Sequence, residues 1–171
     1  YSSAASDVYK RQVEGIVCSG IDKGKKTTYA LLDERVPPTR ELCREEALAR
    51  LASKYFQSHS PAQLQDFVWW SGLTATECRL AINLIKAELM TETFDSREYF
   101  IHQSWKGKNE SEPVLRLLPA FDEYLISYKN RTDVLPLEHH PKAFNRFGTF
   151  YPVILYNGKI IGNWSRSIKK N

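Results

Sequence analysis

The sequence predicts an α+β chain, and three observations predict it. Three short windows between residues 41 and 90 repeat apolar residues at helical spacing. A pair of strand-like runs follows directly, over 91–102. Further on, two β-branched runs flank Asn157-Gly158, a strong short hairpin signal.

The first dozen residues, Tyr1–Gln12 (YSSAASDVYKRQ), are small, polar and without period. They read as an extraneous or disordered tail, similar to translated adaptor sequence, with no expected role in the fold. Residues 13–38 read as a β-hairpin. Val13, Ile16 and Val17 precede the polar tip Gly20–Lys26, Thr27–Leu32 follows, and Pro37-Pro38 breaks the chain.

Residues 41–58 predict a helix, with Ala47, Leu48, Leu51, Ala52 and Tyr55 on one face. A second helix is expected over Pro61–Trp70, with Ser60 as N-cap and Pro61 in the first turn. Ser71-Gly72 stops it. Thr74 then caps a third helix, Glu77 completes the capping box, and the helix is expected to reach about Met90. Cys78, Ala81, Ile82, Ile85 and Leu89 line its inner face. Thr91–Phe94 and Glu98–His102 pair as strands across Asp95-Ser96-Arg97. Three helices and a hairpin in this order give a winged helix-turn-helix over 40–104, the short connection at Ser71–Thr74 suiting its sharp turn.

Residues 103–113 form a polar linker. From 112 to 171 a separate, β-rich C-terminal domain is expected, cut short after Lys169-Lys170-Asn171. Its elements are a buried strand at Val114–Leu118, a helix over Phe121–Tyr128 capped by Asp122, and strands Phe150–Tyr156 and Lys159–Trp164.

Charge is distributed unevenly. The net charge is +4, but residues 41–90 carry five Lys/Arg against six Asp/Glu, and 131–171 carry seven against two. The basic surplus therefore lies toward the ends, and electrostatics alone would not point to nucleic acid in the centre. No run approaches the ~20 apolar residues of a membrane span, and no secretory signal is present. Three widely spaced cysteines form no CxxC pair, which argues for a reducing, cytoplasmic setting without a zinc ribbon.

Three stretches, 50–73 (RLASKYFQSHSPAQLQDFVWWSGL), 114–131 (VLRLLPAFDEYLISYKNR) and 148–166 (GTFYPVILYNGKIIGNWSR), resemble bacterial winged-helix DNA-binding proteins, the family that includes the alkylpurine and crosslink-repair DNA glycosylases. The resemblance covers 13–171. It implies tandem winged helices followed by a barrel-like domain, with 13–36 as the wing of a preceding unit, 41–102 as a complete one and 112–171 as a partial barrel-like domain. It also implies that the glycosylases' glutamine–aliphatic–glutamine (or aspartate) motif lies nearer the N-terminus of a longer protein. Gln63-Leu64-Gln65 has that pattern but opens the second helix, so it is read as a chance match.

The outward face of the third helix carries Thr76, Arg79, Asn83 and Lys86 at steps of three, four and three. Arg pairs bidentately with guanine, Asn with adenine, and Lys with phosphate. The competing reading is an ordinary solvated face. Arg97 at the wing tip and Lys23, Lys25 and Lys26 at the first hairpin tip complete the candidate DNA contacts, each with the alternative of a charged turn. Trp69 and Trp70 suit packing better than base stacking, one in the helical core and one against the C-terminal domain. Asp122 and Arg131 suit a cap and an ion pair, and adjacent His139-His140 do not converge on a metal. The expected partner is double-stranded DNA, bound by a monomer without cofactor or metal. A transcriptional regulator and a protein-interaction scaffold are the alternatives.

Overall fold

The computed structural model describes residues 3–38, 40–105, 107 and 112–167, with side chains described from residue 6. The chain divides into two compact units, Tyr1–Leu42 and Cys43–Asn171. Tyr1-Ser2, most of the linker and Lys169-Lys170-Asn171 lie outside the described residues.

The first unit opens with α1 (Ser3–Val13), where an irregular tail was expected. The stretch has no glycine or proline, and Lys10 and Arg11 in its last turn both pair with Glu14. Helix propensity needs no apolar period; only packing does. Strands β1 (Val17–Ser19) and β2 (Tyr29–Leu31) form the expected hairpin, though shorter at both ends. A single-turn helix α2 (Leu32–Arg35) follows. Gly20 is required by close approach, because a Cβ there would lie 2.4 Å from Thr28 Oγ1. No described side chain of this unit is fully buried.

The second unit begins with α3 (Arg44–His59), α4 (Leu64–Ser71) and α5 (Ala75–Leu84). Their inward faces build one core from Leu48, Ala52, Tyr55, Phe56, Phe67, Cys78, Ala81 and Ile85, with Ala62 beside them. Helix α4 starts three residues later than the Ser60-Pro61 reading placed it. Ala62 exchanges both backbone hydrogen bonds with Phe100, at 3.1 and 2.8 Å, which keeps the preceding segment extended. The start is fixed instead by Asp66, whose Oδ2 accepts the Gln63 N–H at 2.9 Å. At α5 the expected box is present: Thr74 Oγ1 accepts from the Glu77 N–H, and Glu77 accepts from the Thr74 N–H.

Helix α5 ends at Leu84, not near Met90. A 3₁₀ turn, Lys86–Glu88, leads into β3 (Leu89–Phe94), which pairs antiparallel with β4 (Arg97–His102). The turn is two residues, Asp95 and Ser96, both at positive φ, the pairing that matches strand twist. Arg97 is thus the first strand residue, opposite Phe94.

Beyond the linker come β5 (Leu115–Leu118), α6 (Glu123–Ile126), α7 (His140–Ala143), β6 (Val153–Tyr156) and β7 (Lys159–Asn163). The three strands form one antiparallel sheet in the order β5-β6-β7, with a second core around Leu125, Leu135, Ala143, Val153 and Ile160. Among the described residues the sheets are small and none closes into a barrel. Strand β5 is not buried as expected: it is a sheet edge, with Leu115 and Leu117 about half exposed. An apolar run cannot tell an inner from an outer face. Asp122 caps α6 as read, accepting the Tyr124 N–H at 2.9 Å.

Candidate nucleic-acid interface

The outer face of α5 is positioned from below. Cys78 and Ala81 are fully buried, so residues at the opposite azimuth must face water. Thr76, Arg79 and Asn83 are exposed there, and none of their side chains makes a hydrogen bond or ion pair with another described residue. Leu80 and Leu84 share the face, each 40% exposed, so it is mixed and not purely polar. Lys86 is also exposed but sits on the 3₁₀ turn, off the helix.

Two networks hold this face in place. At the start of α5, Arg44 of α3 pairs with Glu77, and this bond, with those from Thr74, keeps the Glu77 carboxyl below its usual range. At the far end, Glu88 accepts from Ser53 Oγ at 2.7 Å and lies 3.2 Å from His102 Nε2. These contacts hold its carboxyl low as well. Glu88 thereby ties α3 and β4 to the turn that carries Lys86.

Arg97 is not where the sequence reading put it. Its guanidinium makes a two-pronged pair with Asp133, at 2.9 and 3.2 Å, and Tyr99 donates its hydroxyl to the same carboxylate at 2.9 Å. The exposed Asp95 at the turn adds a further negative charge near it. The cation ties the hairpin to the segment after α6.

Burial raises the Asp133 carboxyl, but the bonds from Arg97 and Tyr99 outweigh it and leave the group below its ordinary value. A carboxyl lowered in the folded state stabilises above its unfolded pKa of about 4, and that contribution is lost as pH falls through the folded value. Asp133→Asn should therefore melt below wild type at pH 7, with the gap closing toward pH 3. Thermal melts across that range check this, and a gap independent of pH would contradict it.

In the first unit, Lys23 and Lys26 pair through their backbones at 3.0 and 3.2 Å around Gly24, which has φ +63°. The resulting tight turn presents Lys23, Lys25 and Lys26, all exposed.

A cleft of about 280 Å³ lies in the second unit, lined among others by Gln63, Asp66, Tyr99, Tyr124, Tyr128 and Asp133. Gln63 is the first residue of the Gln-Leu-Gln pattern; Leu64 packs on the core and Gln65 is exposed. Asp66 was missed as a site residue. It is 3% exposed, and its Oδ1 accepts the Lys129 N–H at 2.9 Å. The Gln63-x-x-Asp66 spacing was the signal that could have found it.

Trp69 and Trp70 are 52% and 36% exposed, so neither fills the core. Trp69 donates its indole N–H to the Ile126 carbonyl at 2.9 Å, and Trp70 packs 5.0 Å from the Tyr55 ring. Arg131 does not pair with an acid. It bonds the Leu125 carbonyl and sits 5.2 and 5.3 Å from the rings of Phe144 and Phe150. Among the described residues no group of three His, Cys, Asp or Glu is arranged to hold a metal, and no helix is long and apolar enough to cross a membrane.

The model of the family described as DNA glycosylase AlkZ-like matches residues 10–170. The chain belongs to the AlkZ-like DNA glycosylase family. An AlkZ-like relative, the interstrand DNA cross-link repair glycosylase of Streptomyces sahachiroi, is 25% identical over 159 residues, which are 88% of this chain and 43% of that protein. The solved structure of Streptomyces sahachiroi DNA glycosylase AlkZ superposes with a TM-score of 0.75 at 22% identity, again over 88% of this chain and 43% of the other. That likeness shows a shared fold. The AlkZ-like chain thus spans less than half the length of the relatives it matches.

Proposed function

We propose that this chain is a DNA-gripping part of a repair glycosylase, acting as a monomer on double-stranded DNA in the cytoplasm. In this reading α3, α4, α5 and the β3–β4 hairpin form a winged helix, and α5 enters the major groove. Arg79 and Asn83 meet base edges, Thr76 and Lys86 meet phosphates, and Lys23, Lys25 and Lys26 add phosphate contacts. Arg97 acts indirectly, by fixing the hairpin through Asp133. The chain supplies grip and shape, and the groups that break the N-glycosidic bond are assigned elsewhere in a longer protein.

The observation that carries the reading is the family membership, taken with an α5 that two networks back and whose Arg79 and Asn83 side chains have no partner among the described residues. Operator-binding regulation draws no support from the relatives. Fluorescence anisotropy with a duplex across a salt series tests the assignment of α5. Arg79→Ala with Lys86→Ala should weaken binding and lower the slope of log affinity against log salt by about one, through the lost Lys86 phosphate contact. An unchanged slope and affinity in a folded double variant would remove α5 from the interface.

A further inference from the structure

The densest basic surplus of the chain lies in 131–171, and the α5 reading leaves it unused. Within it, Arg146 and Phe147 occupy the tip of a turn. Phe147 is 78% exposed, with the Arg146 guanidinium 4.8 Å from its ring centroid.

The tip is held rigidly. Asn145 Oδ1 accepts the N–H groups of Phe147 and Thr149 at 2.9 and 3.1 Å. The Asn145 N–H donates to the Thr149 carbonyl at 3.0 Å, and the Gly148 N–H to the Asn145 carbonyl at 3.1 Å. Gly148 takes φ +81°, which an L side chain resists. Below the turn, Phe144 and Phe150 bridge and pack 5.1 Å apart, with Arg131 against both rings. An aromatic ring on a fixed base loses little freedom on binding, so it is ready to make a contact. The family of this chain and the excess of cations over acids in this segment favour a polyanion with exposed ring faces.

We propose that the Arg146-Phe147 turn is a second DNA contact, in which Phe147 stacks on a base at a distorted or unpaired step while Arg146 pairs with the adjoining phosphate. Apolar wedges between base steps and aromatic platforms under unstacked bases are both general means of holding distorted DNA. This inference rests on the DNA-binding reading above but not on α5.

The test uses the full chain and a duplex with an abasic site flanked by 2-aminopurine, read by anisotropy and by 2-aminopurine fluorescence, alongside an undamaged duplex. Phe147→Ala should lose about tenfold in affinity for the abasic duplex, abolish the fluorescence change and leave the salt slope intact. Phe147→Trp should retain both. Arg146→Ala should lower the slope by about one. Because Phe147 is exposed, matching thermal melts are expected and confirm folding. Wild-type binding without a fluorescence change, or Phe147→Ala behaving as wild type, would overturn this inference and leave the α5 reading standing. Absence of any wild-type binding at low salt would overturn both.

Discussion

Phe67→Ala should destabilise the chain by about 3–5 kcal/mol. Phe67 is fully buried, with its ring 5.0 Å from Tyr55 and 5.6 Å from Phe56. Tyr55 in turn lies flat on His59 at 4.7 Å. Truncating Phe67 leaves a void inside a cluster contributed by α3 and α4 and closed by α5, where neighbours on three helices cannot all relax into it. Because a domain of this kind has only about 5–15 kcal/mol in total, the loss removes a large part of its stability. Urea unfolding of the two proteins checks it through the shift in midpoint at constant slope. A cost below about 1 kcal/mol would mean that the cluster is not packed as described.

Asp66→Ala is the second large effect. One carboxylate oxygen accepts from Gln63 at 2.9 Å and the other from Lys129 at 2.9 Å, so a single buried side chain joins the start of α4 to the segment after α6. Removing it takes the acceptor from the Gln63 and Lys129 N–H groups, and from the longer bond of the Asn130 N–H at 3.5 Å, each worth about 1–3 kcal/mol when buried. The expected loss is about 2 kcal/mol or more. Hydrogen exchange at the Gln63 and Lys129 amides should accelerate beyond the global change. Tyr55 and Tyr128 report the same site, since burial and then the Asp66 charge raise both hydroxyls, Tyr128 to about 12. If the Lys129 amide stays as protected as in wild type, the latch is not at Asp66.

What the sequence disclosed was mostly local. The Thr74–Glu77 box, the Asp122 cap and the Asn157-Gly158 turn each depend on residues within a few positions, and each is present. The inward stripe Cys78, Ala81 and Ile85 followed from helical period. What stayed hidden depended on distant partners. The pairing of Ala62 with Phe100 moved the start of α4, and Asp133, far along the chain, pairs with Arg97. Neither pairing leaves a trace in the spacing of either residue. Helix α1 was missed for the opposite reason, since it forms without the apolar stripe by which helices are recognised. Phe147 carried no motif at all. Its meaning comes from being held outward, which only the turn around Asn145 reveals.

The most direct test of the central claim is anisotropy binding of the full chain to an intact duplex and to one with an abasic site, from low to physiological salt. Measurable affinity is expected that falls steeply as salt rises, the mark of released counterions, with tighter binding to the abasic duplex. A folded sample that binds neither duplex at low salt would contradict that claim.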